Sequence, residues 1–174
     1  MSEVEIEKRY LAKFLPKDLD ISSGKEIRDK YIPITSDDKK MRLRKRGELY
    51  EITKKVPINE DDLSIQEEKT IPLTREEYNS LNTINGTVAS KLRVEYEYQG
   101  VTFEFDIFKE NIEGIVLIDV EFKSKEEFEK FEFPDFCLCD VTQVQYIGGG
   151  KIAGKTYDDL RELLDSKNYK KITI

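Results

Sequence analysis

The sequence predicts an α+β fold in which long antiparallel β-strands form a barrel with a charged interior and short helices packed outside. The first observation is an alternation of charged and apolar residues in several segments, beginning with Val-Glu-Ile-Glu-Lys-Arg-Tyr at residues 4–10. Successive side chains of a strand point to opposite faces, so each such segment has one charged and one apolar face. The second observation is the presence of short amphipathic helical segments, which could cover the apolar faces and leave the charged faces inside.

The charged faces of these segments are unusually uniform. Most half-buried strands turn a polar face to water, and that remains the simplest interpretation of any one segment. Such faces usually include Thr, Ser, Gln and Asn, whereas these are almost purely acidic and basic. An enclosed charged cavity therefore explains them better. The later segments contain Arg42, Arg44 and Arg46; Lys91, Arg93, Glu95 and Glu97; Glu104 and Asp106; and Asp119 and Glu121.

Turn and capping signals place the individual elements. Gly47 and Gly100 lie between alternating segments and mark tight hairpin turns, which implies antiparallel pairing. Thr74 and Ser124 are each followed three positions later by glutamate, the pattern of a helix N-terminus. A third helix is predicted over residues 157–166, with leucines on its core face. Strands are predicted near 3–14, 26–34, 39–47, 48–56, 64–72, 89–98, 101–109 and 114–123, with weaker strand character near 138–147.

Length and composition limit the class of protein. A chain of 174 residues fits a single domain over residues 1–174, and we expect a monomer or homodimer. The net charge of -7 argues against a nucleic-acid partner, because nonspecific binding of nucleic acid depends on excess Lys and Arg. No signal peptide and no apolar stretch of ~20 residues is present, so we expect a cytoplasmic protein without a membrane partner.

The absence of histidine restricts the chemistry. It excludes His-based catalytic triads, His general bases and His zinc sites. Cys137 and Cys139 have no second ligand pair, so we interpret them as reduced thiols rather than zinc ligands. A metal in this protein would have to be held by oxygen atoms, which favours Mg2+ or Mn2+.

Six ordered segments resemble motifs of the CYTH superfamily, also called triphosphate tunnel metalloenzymes. The order and approximate spacing match from residue 3 to about residue 155. The segments are Glu5-x-Glu7-x-Arg9, in which arginine replaces the family's usual lysine, Arg42-x-Arg44, Thr53-x-Lys55, Lys91-x-Arg93, Glu104-x-Asp106 and the late acidic strand with Asp119 and Glu121.

The resemblance implies an eight-stranded antiparallel tunnel that binds a triphosphate and cleaves it with Mg2+ or Mn2+. Arg9 and the acidic pair Glu5 and Glu7 would be catalytic. The residues implied to bind the phosphates are Arg9, Arg42, Arg44, Lys55, Lys91 and Arg93. The glycine-rich segment 148–151 lacks Walker spacing and is interpreted as a flexible turn, in which Lys151 is a candidate to cap the tunnel and bind phosphate. The metal ligands implied are Glu5, Glu7 and Glu121, with Asp119 as a further ligand and Glu104 and Asp106 in support. Lys8, Lys45 and Lys54 have the opposite parity and are expected outside.

Two segments depart from the family pattern. Ile65-x-Glu67-x-Lys69 stands where the family usually has Arg-x-Glu-x-Glu, and Tyr146-Ile147-Gly148 replaces a Tyr-Lys-Asn stretch. Such changes could alter the substrate or produce a member that binds phosphates without hydrolysing them. In the latter case Lys69 would be the first residue to suspect.

Three functions therefore remain open from the sequence. The favoured one is metal-dependent hydrolysis of inorganic triphosphate or of a small organic triphosphate, because no motif in the sequence indicates a pocket that recognises a nucleotide base. The second is a class IV type adenylyl cyclase that makes cyclic AMP from ATP. The third is a non-catalytic module that binds nucleotide or polyphosphate. An RNA 5'-triphosphatase is a variant of the first, although the acidic net charge gives no sign of an RNA surface.

Overall fold

A computed structural model of the protein describes residues 2–35 and 41–174. The strands are β1 (Ser2–Ala12), β2 (Lys25–Ile32), β3 (Met41–Arg46), β4 (Leu49–Asn59), β5 (Asp62–Leu73), β6 (Thr87–Tyr98), β7 (Val101–Phe108), β8 (Val116–Phe122) and β9 (Cys137–Asp140). The helices are α1 (Arg75–Leu81), α2 (Lys125–Lys130), α3 (Gly149–Ile152) and α4 (Arg161–Ser166), with 3-10 turns at Ile21–Ser23, Glu110–Ile112, Gln145–Ile147 and Asp158–Leu160.

Strand β1 closes the sheet into a barrel because it pairs with a different strand on each side. Its first half pairs with β5, from Ser2 opposite Lys69 to Ile6 opposite Ile65. Its second half pairs with β8, down to Leu11 opposite Leu117. The remaining order is β5-β4-β3-β2-β6-β7-β8, and all pairs are antiparallel. The predicted eight-stranded antiparallel tunnel is confirmed, and β9 is an additional short strand on the second half of β1.

The strands and helices predicted from the sequence are present in the described residues, with small shifts in their bounds. The third helix is split into the 3-10 turn Asp158–Leu160 and α4, and the weak strand near 138–147 is reduced to β9. Residues 39 and 40 of the predicted third strand lie outside the described residues. The predicted helix caps are present, since the Thr74 hydroxyl accepts from the Glu77 amide at the start of α1. No helix in the described part of the chain is long and apolar enough to span a membrane.

The outer face of the barrel carries the apolar half of each alternating strand. Tyr10, Phe103, Phe105 and Ile118 are all 1% exposed or less and pack in one cluster with Phe136. Full burial of side chains of this size contributes about 1.5–3 kcal/mol each, so this cluster fixes which face of β1, β7 and β8 turns outward. The charged half of the same strands must then face the lumen.

The lysines of opposite parity lie outside, as predicted. The Lys8 ammonium stands 4.5 Å from the centre of the Phe128 ring on α2, and that of Lys45 stands 5.9 Å from the Tyr50 ring. Lys54 is exposed. These positions confirm the strand register on which the assignment of lumen residues depends.

A second apolar cluster closes one end of the lumen. Tyr31, Phe108, Leu117 and Val141 line the cavity and also belong to a buried cluster that includes Ile152 of α3. The C-terminal segment that carries α3 therefore packs against the end of the barrel. The lumen is a cavity with an apolar end rather than an uninterrupted channel at this point.

Candidate functional site

The barrel encloses a cavity of about 770 Å³ whose walls are mostly charged. Each strand contributes alternate residues, as expected for side chains that share one face. Every predicted site residue lines this cavity except Glu104, which contacts Arg93 from its edge. The charged and polar lining residues on the strands and α3 are Glu3, Glu5, Glu7, Arg9, Arg42, Arg44, Arg46, Glu51, Thr53, Lys55, Gln66, Glu68, Thr70, Lys91, Arg93, Asp106, Asp119, Glu121 and Lys151.

Arg9 is fixed by Asp119 on the neighbouring strand. The two residues are directly opposite in the β1–β8 pairing. Arg9 Nε donates to Asp119 Oδ1 at 2.6 Å and Arg9 Nη2 donates to Oδ2 at 2.8 Å, a bidentate geometry. Burial raises the pKa of Asp119, but the charge and hydrogen bonds of Arg9 outweigh it and lower the pKa. Asp119 therefore orients Arg9 and remains ionised.

A second ion-pair group joins β6 to β7. Arg93 donates to both oxygens of Asp106, at 2.6 and 2.7 Å, and its third nitrogen contacts Glu104. The Lys91 ammonium donates to the same Asp106 carboxylate. Burial, together with the positive charge of Arg93, lowers the pKa of Lys91 to about 8. Two cations are thus held side by side by one buried carboxylate.

Asp29 is a site residue that the motifs did not identify. It is 2% exposed and accepts two hydrogen bonds from Arg44, at 2.7 and 2.8 Å. Burial raises the pKa of Asp29, but the hydrogen bonds and charge of Arg44 outweigh it and lower the pKa to about 2. The alternation Ile27-x-Asp29-x-Tyr31 could have identified Asp29 from the sequence, because these three residues share one face of β2, and all three are buried.

Glu5 and Glu7 share one ammonium group. Lys55 Nζ lies 2.6 Å from Glu5 Oε2 and donates to Glu7 Oε2 at 2.9 Å. Gln66 Nε2 donates to the other oxygen of Glu7 at 3.1 Å. Burial lowers the pKa of Lys55, but the charges of Glu7 and Glu5 outweigh it and the pKa is raised. Lys55 is therefore a fully charged counter-ion of this pair.

Glu121 completes an acidic group next to this pair. It lies opposite Glu7 in the β1–β8 pairing. Among residues 2–35 and 41–174 it has no basic side chain within ion-pair distance. The Glu121 side chain is exposed, but partial desolvation, together with the negative charges of Glu5 and Glu104, raises its pKa to about 7. A carboxylate destabilised by its acidic neighbours is one that a bound cation would stabilise.

The donor chemistry of Glu5, Glu7 and Glu121 fits a hard divalent cation. All three supply carboxylate oxygens, the ligands that Mg2+ and Mn2+ prefer. Within the described residues, however, no three acidic or cysteine side chains are grouped closely enough to hold a metal ion. The Lys55 ammonium binds two of the carboxylates instead.

Comparison with solved structures identifies the fold. Two structures of NE1496, one named as a hypothetical protein and one as an inorganic triphosphatase, match with TM-scores of 0.63 and 0.62. Their sequences are 24% and 23% identical, and the matches cover 87% of this chain and 99% and 95% of the other. A candidate adenylate cyclase, bh2851 from Bacillus halodurans, matches with a TM-score of 0.55 at 15% identity over 99% of this chain and 94% of the other. No protein-family model and no curated protein matches the chain.

The chain has the same fold as these proteins. Its closed antiparallel barrel agrees with the tunnel that the resemblance to the CYTH superfamily implies. We call the cavity of the barrel the tunnel, and the side chains that line it the tunnel wall.

The tunnel corrects one assignment made from the sequence. The segment compared with the family's Arg-x-Glu-x-Glu strand was taken as Ile65-x-Glu67-x-Lys69, but this parity is wrong for the wall. Lys69 is exposed on the outer face, 3.3 Å from Glu67. The residues of β5 that line the tunnel are Leu63 at its start and then Gln66, Glu68 and Thr70. Both faces of β5 carry charge, so alternation alone could not identify the inner one.

The glycine-rich segment at the C-terminal side also reaches the tunnel. Gly148, Gly149 and Lys151 line the cavity at its apolar end. A Cβ atom at residue 149 would stand 2.1 Å from the hydroxyl of buried Tyr31, so only glycine allows this close packing. The position of Lys151 is compatible with the predicted role at the end of the tunnel.

Proposed function

We propose that this protein is a metal-dependent triphosphatase that hydrolyses inorganic triphosphate or a small organic triphosphate inside the tunnel. The observation that carries the proposal is the convergence of two kinds of side chain on one cavity. Basic residues from β1, β3, β4 and β6 face the same space as the acidic group Glu5, Glu7 and Glu121. Phosphate oxygens and a divalent cation require these two kinds of partner.

The charge of the tunnel supports a role for a cation. Among the described residues that line the cavity, eight are basic and nine are acidic. A triphosphate carries about four negative charges near neutral pH, and an enclosed site must offset their desolvation. The wall has no excess of positive charge with which to do so. Divalent cations bound with the substrate would supply it.

The arginines are prepared to receive phosphate oxygens. Arg9 and Arg44 are each held by a bidentate carboxylate through Nε and Nη2. Among the described residues neither Nη1 donates a hydrogen bond, although Glu51 Oε1 lies 4.0 Å from Nη1 of Arg44, so the N–H groups of Nη1 can be donated to a ligand. Arg93 and Lys91 are held next to each other by Asp106. Because these cations are oriented before the substrate binds, less conformational entropy is lost on binding.

The acidic group has the complementary role. Glu5, Glu7 and Glu121 would hold the cation, while Asp119, Asp106 and Glu104 orient the basic residues that face the phosphates. A bound Mg2+ or Mn2+ would stabilise negative charge on the phosphoryl oxygens and lower the pKa of a bound water. The oriented arginines would stabilise the charge that develops on the phosphoryl group as it is transferred to water.

The test is product analysis with three substrates, namely tripolyphosphate, ATP and thiamine triphosphate, each with Mg2+, with Mn2+ and with EDTA. We expect orthophosphate release that depends on the metal, with tripolyphosphate as the best substrate. Cyclic AMP from ATP would instead assign a cyclase. Tight binding of tripolyphosphate without turnover under every condition would assign a binding module and contradict the proposal.

The outer position of Lys69 gives a further prediction. We expect Lys69→Glu to change the rate of phosphate release from tripolyphosphate by no more than about twofold, because an exposed substitution away from the tunnel leaves the wall intact. The rate is measured beside that of the wild type under the same metal conditions. A change in this rate of about tenfold or more would contradict the assignment. It would show that residue 69 reaches the tunnel and that the inner face of β5 is the other one.

A further inference from the structure

Lys55 makes contacts that set it apart from the other basic residues of the tunnel wall. Its ammonium bridges Glu5 and Glu7, at 2.6 and 2.9 Å. The side chains are 19%, 16% and 8% exposed, so the three charges are largely removed from water. Arg9 approaches the same pair only at 3.9 Å, from Nη2 to Glu7 Oε1. Lys55 is therefore the main positive charge on these two carboxylates among the described residues.

Two carboxylates held close together in a poorly hydrated wall need a positive charge. The ammonium of Lys55 supplies one unit of it, and no basic side chain in the described part of the chain lies within ion-pair distance of the neighbouring Glu121. A divalent cation on the same oxygens of Glu5 and Glu7 would supply two units in place of one. Ammonium and cation cannot contact the same oxygens of Glu5 and Glu7 at once without strong repulsion.

The chemistry of lysine suits an exchange of partners. Its charge is compact and sits on a flexible chain of methylene groups, whereas the guanidinium of arginine is a planar fork that its bidentate partners fix. Arg9, Arg44 and Arg93 are each held in this way by a buried aspartate. Lys55 is held by contacts to single oxygen atoms, and it faces the open cavity.

We propose that Lys55 is an internal competitor for the divalent cation, which neutralises Glu5 and Glu7 in the metal-free protein and moves to the phosphate chain when the cation binds. The competition concerns the protein and the metal alone, and only the move to phosphate rests on the proposed function. Linkage makes the effect reciprocal: a triphosphate that attracts the Lys55 ammonium raises the affinity for the cation, and the cation raises the affinity for the triphosphate. Each ligand thus favours the binding of the other without a change in the barrel.

The test is a titration of metal-free protein with Mn2+ in the absence of any phosphate. The concentration of free Mn2+ is measured by electron paramagnetic resonance, and the affinity is calculated from it. We expect Lys55→Met, which keeps the length of the side chain and removes its charge, to bind Mn2+ roughly tenfold more tightly than the wild type. Lys55→Arg keeps the charge on a group that exchanges partners less readily, so it should bind Mn2+ no more tightly than the wild type. The matched control is Lys54→Met on the outer face of the same strand, which should leave Mn2+ affinity unchanged. Equal or weaker Mn2+ binding by Lys55→Met would overturn the proposal.

A second measurement uses the wild-type protein, so the test does not depend on the folding of a variant. The ammonium of Lys55, held by two carboxylates, should give a 1H–15N resonance that Lys55→Arg lacks. Addition of diamagnetic Mg2+ should shift or remove this resonance as the contacts to Glu5 and Glu7 are lost. A resonance that stays unchanged at saturating Mg2+ would contradict the proposal. Both measurements omit substrate, so a protein that hydrolyses no triphosphate could still show the competition, and an active triphosphatase could fail it.

Discussion

Replacement of Glu7 by glutamine is expected to reduce metal-dependent phosphate release from tripolyphosphate on the order of 100-fold or more, comparable with the loss of one well-oriented electrostatic group in other active sites. Glu7 is 6% exposed, lies opposite Glu121 and shares Lys55 with Glu5. Glutamine has nearly the same shape but no charge, so it would weaken the proposed cation site while it fills the same space. The rate is measured as orthophosphate released at saturating tripolyphosphate and Mg2+ or Mn2+.

A matched control separates this effect from a general effect of removing a carboxylate. Glu129→Gln makes the same chemical change at an exposed position of α2, and we expect no more than about a twofold change in rate. Circular dichroism and thermal unfolding of both variants verify that the barrel is retained. If Glu7→Gln kept most of the wild-type rate with its fold intact, Glu7 would not be a ligand of the cation and the proposed acidic group would be wrong.

The wall of the tunnel could be predicted from the sequence because a strand has an exact period of two. In β1, β3 and β6 one parity is charged and the other is largely apolar, so the sequence alone separates Arg9 from Tyr10 and Lys91 from Leu92. Burial of the apolar parity then leaves no other place for the charges. The same argument placed Lys8 on the outer face, where it contacts Phe128.

The partners of the wall residues could not be predicted, because they depend on the register between paired strands, some of which are distant in sequence. Asp29 meets Arg44 through the β2–β3 pairing, and Lys55 meets Glu5 and Glu7 across the β1–β5–β4 closure of the barrel. Neither ion pair can be predicted from the alternation of charged and apolar residues along a single strand. On β5, where both faces carry charge, alternation also failed to identify the inner face, and it was the pairing with β1 and β4 that placed Glu68 inside.

Asp29→Asn is expected to reduce the free energy of unfolding by about 3 kcal/mol or more, because it leaves the Arg44 guanidinium buried without its counter-charge. Arg44 is 8% exposed, and both of its short carboxylate contacts are to Asp29. The free energy is obtained from urea unfolding followed by circular dichroism. The control is Glu48→Gln, which removes one partner of a surface pair with Arg75 at 3.9 Å, and it should cost less than about 1 kcal/mol.

A double variant shows whether the cost comes from the unpaired charge or from a change of shape at residue 29. Asp29→Asn combined with Arg44→Met removes both charges and retains an extended side chain at residue 44. If the buried guanidinium is the source of the cost, the double variant should lose less stability than the sum of the two single variants, by about 1 kcal/mol or more. Additive losses would mean that Asp29 stabilises the barrel through contacts other than Arg44, and the role of Asp29 in orienting a phosphate-binding arginine would lose its support. Asp29 holds Arg44 in the tunnel wall, so the stability of the barrel and the proposed binding of phosphate would depend on the same ion pair.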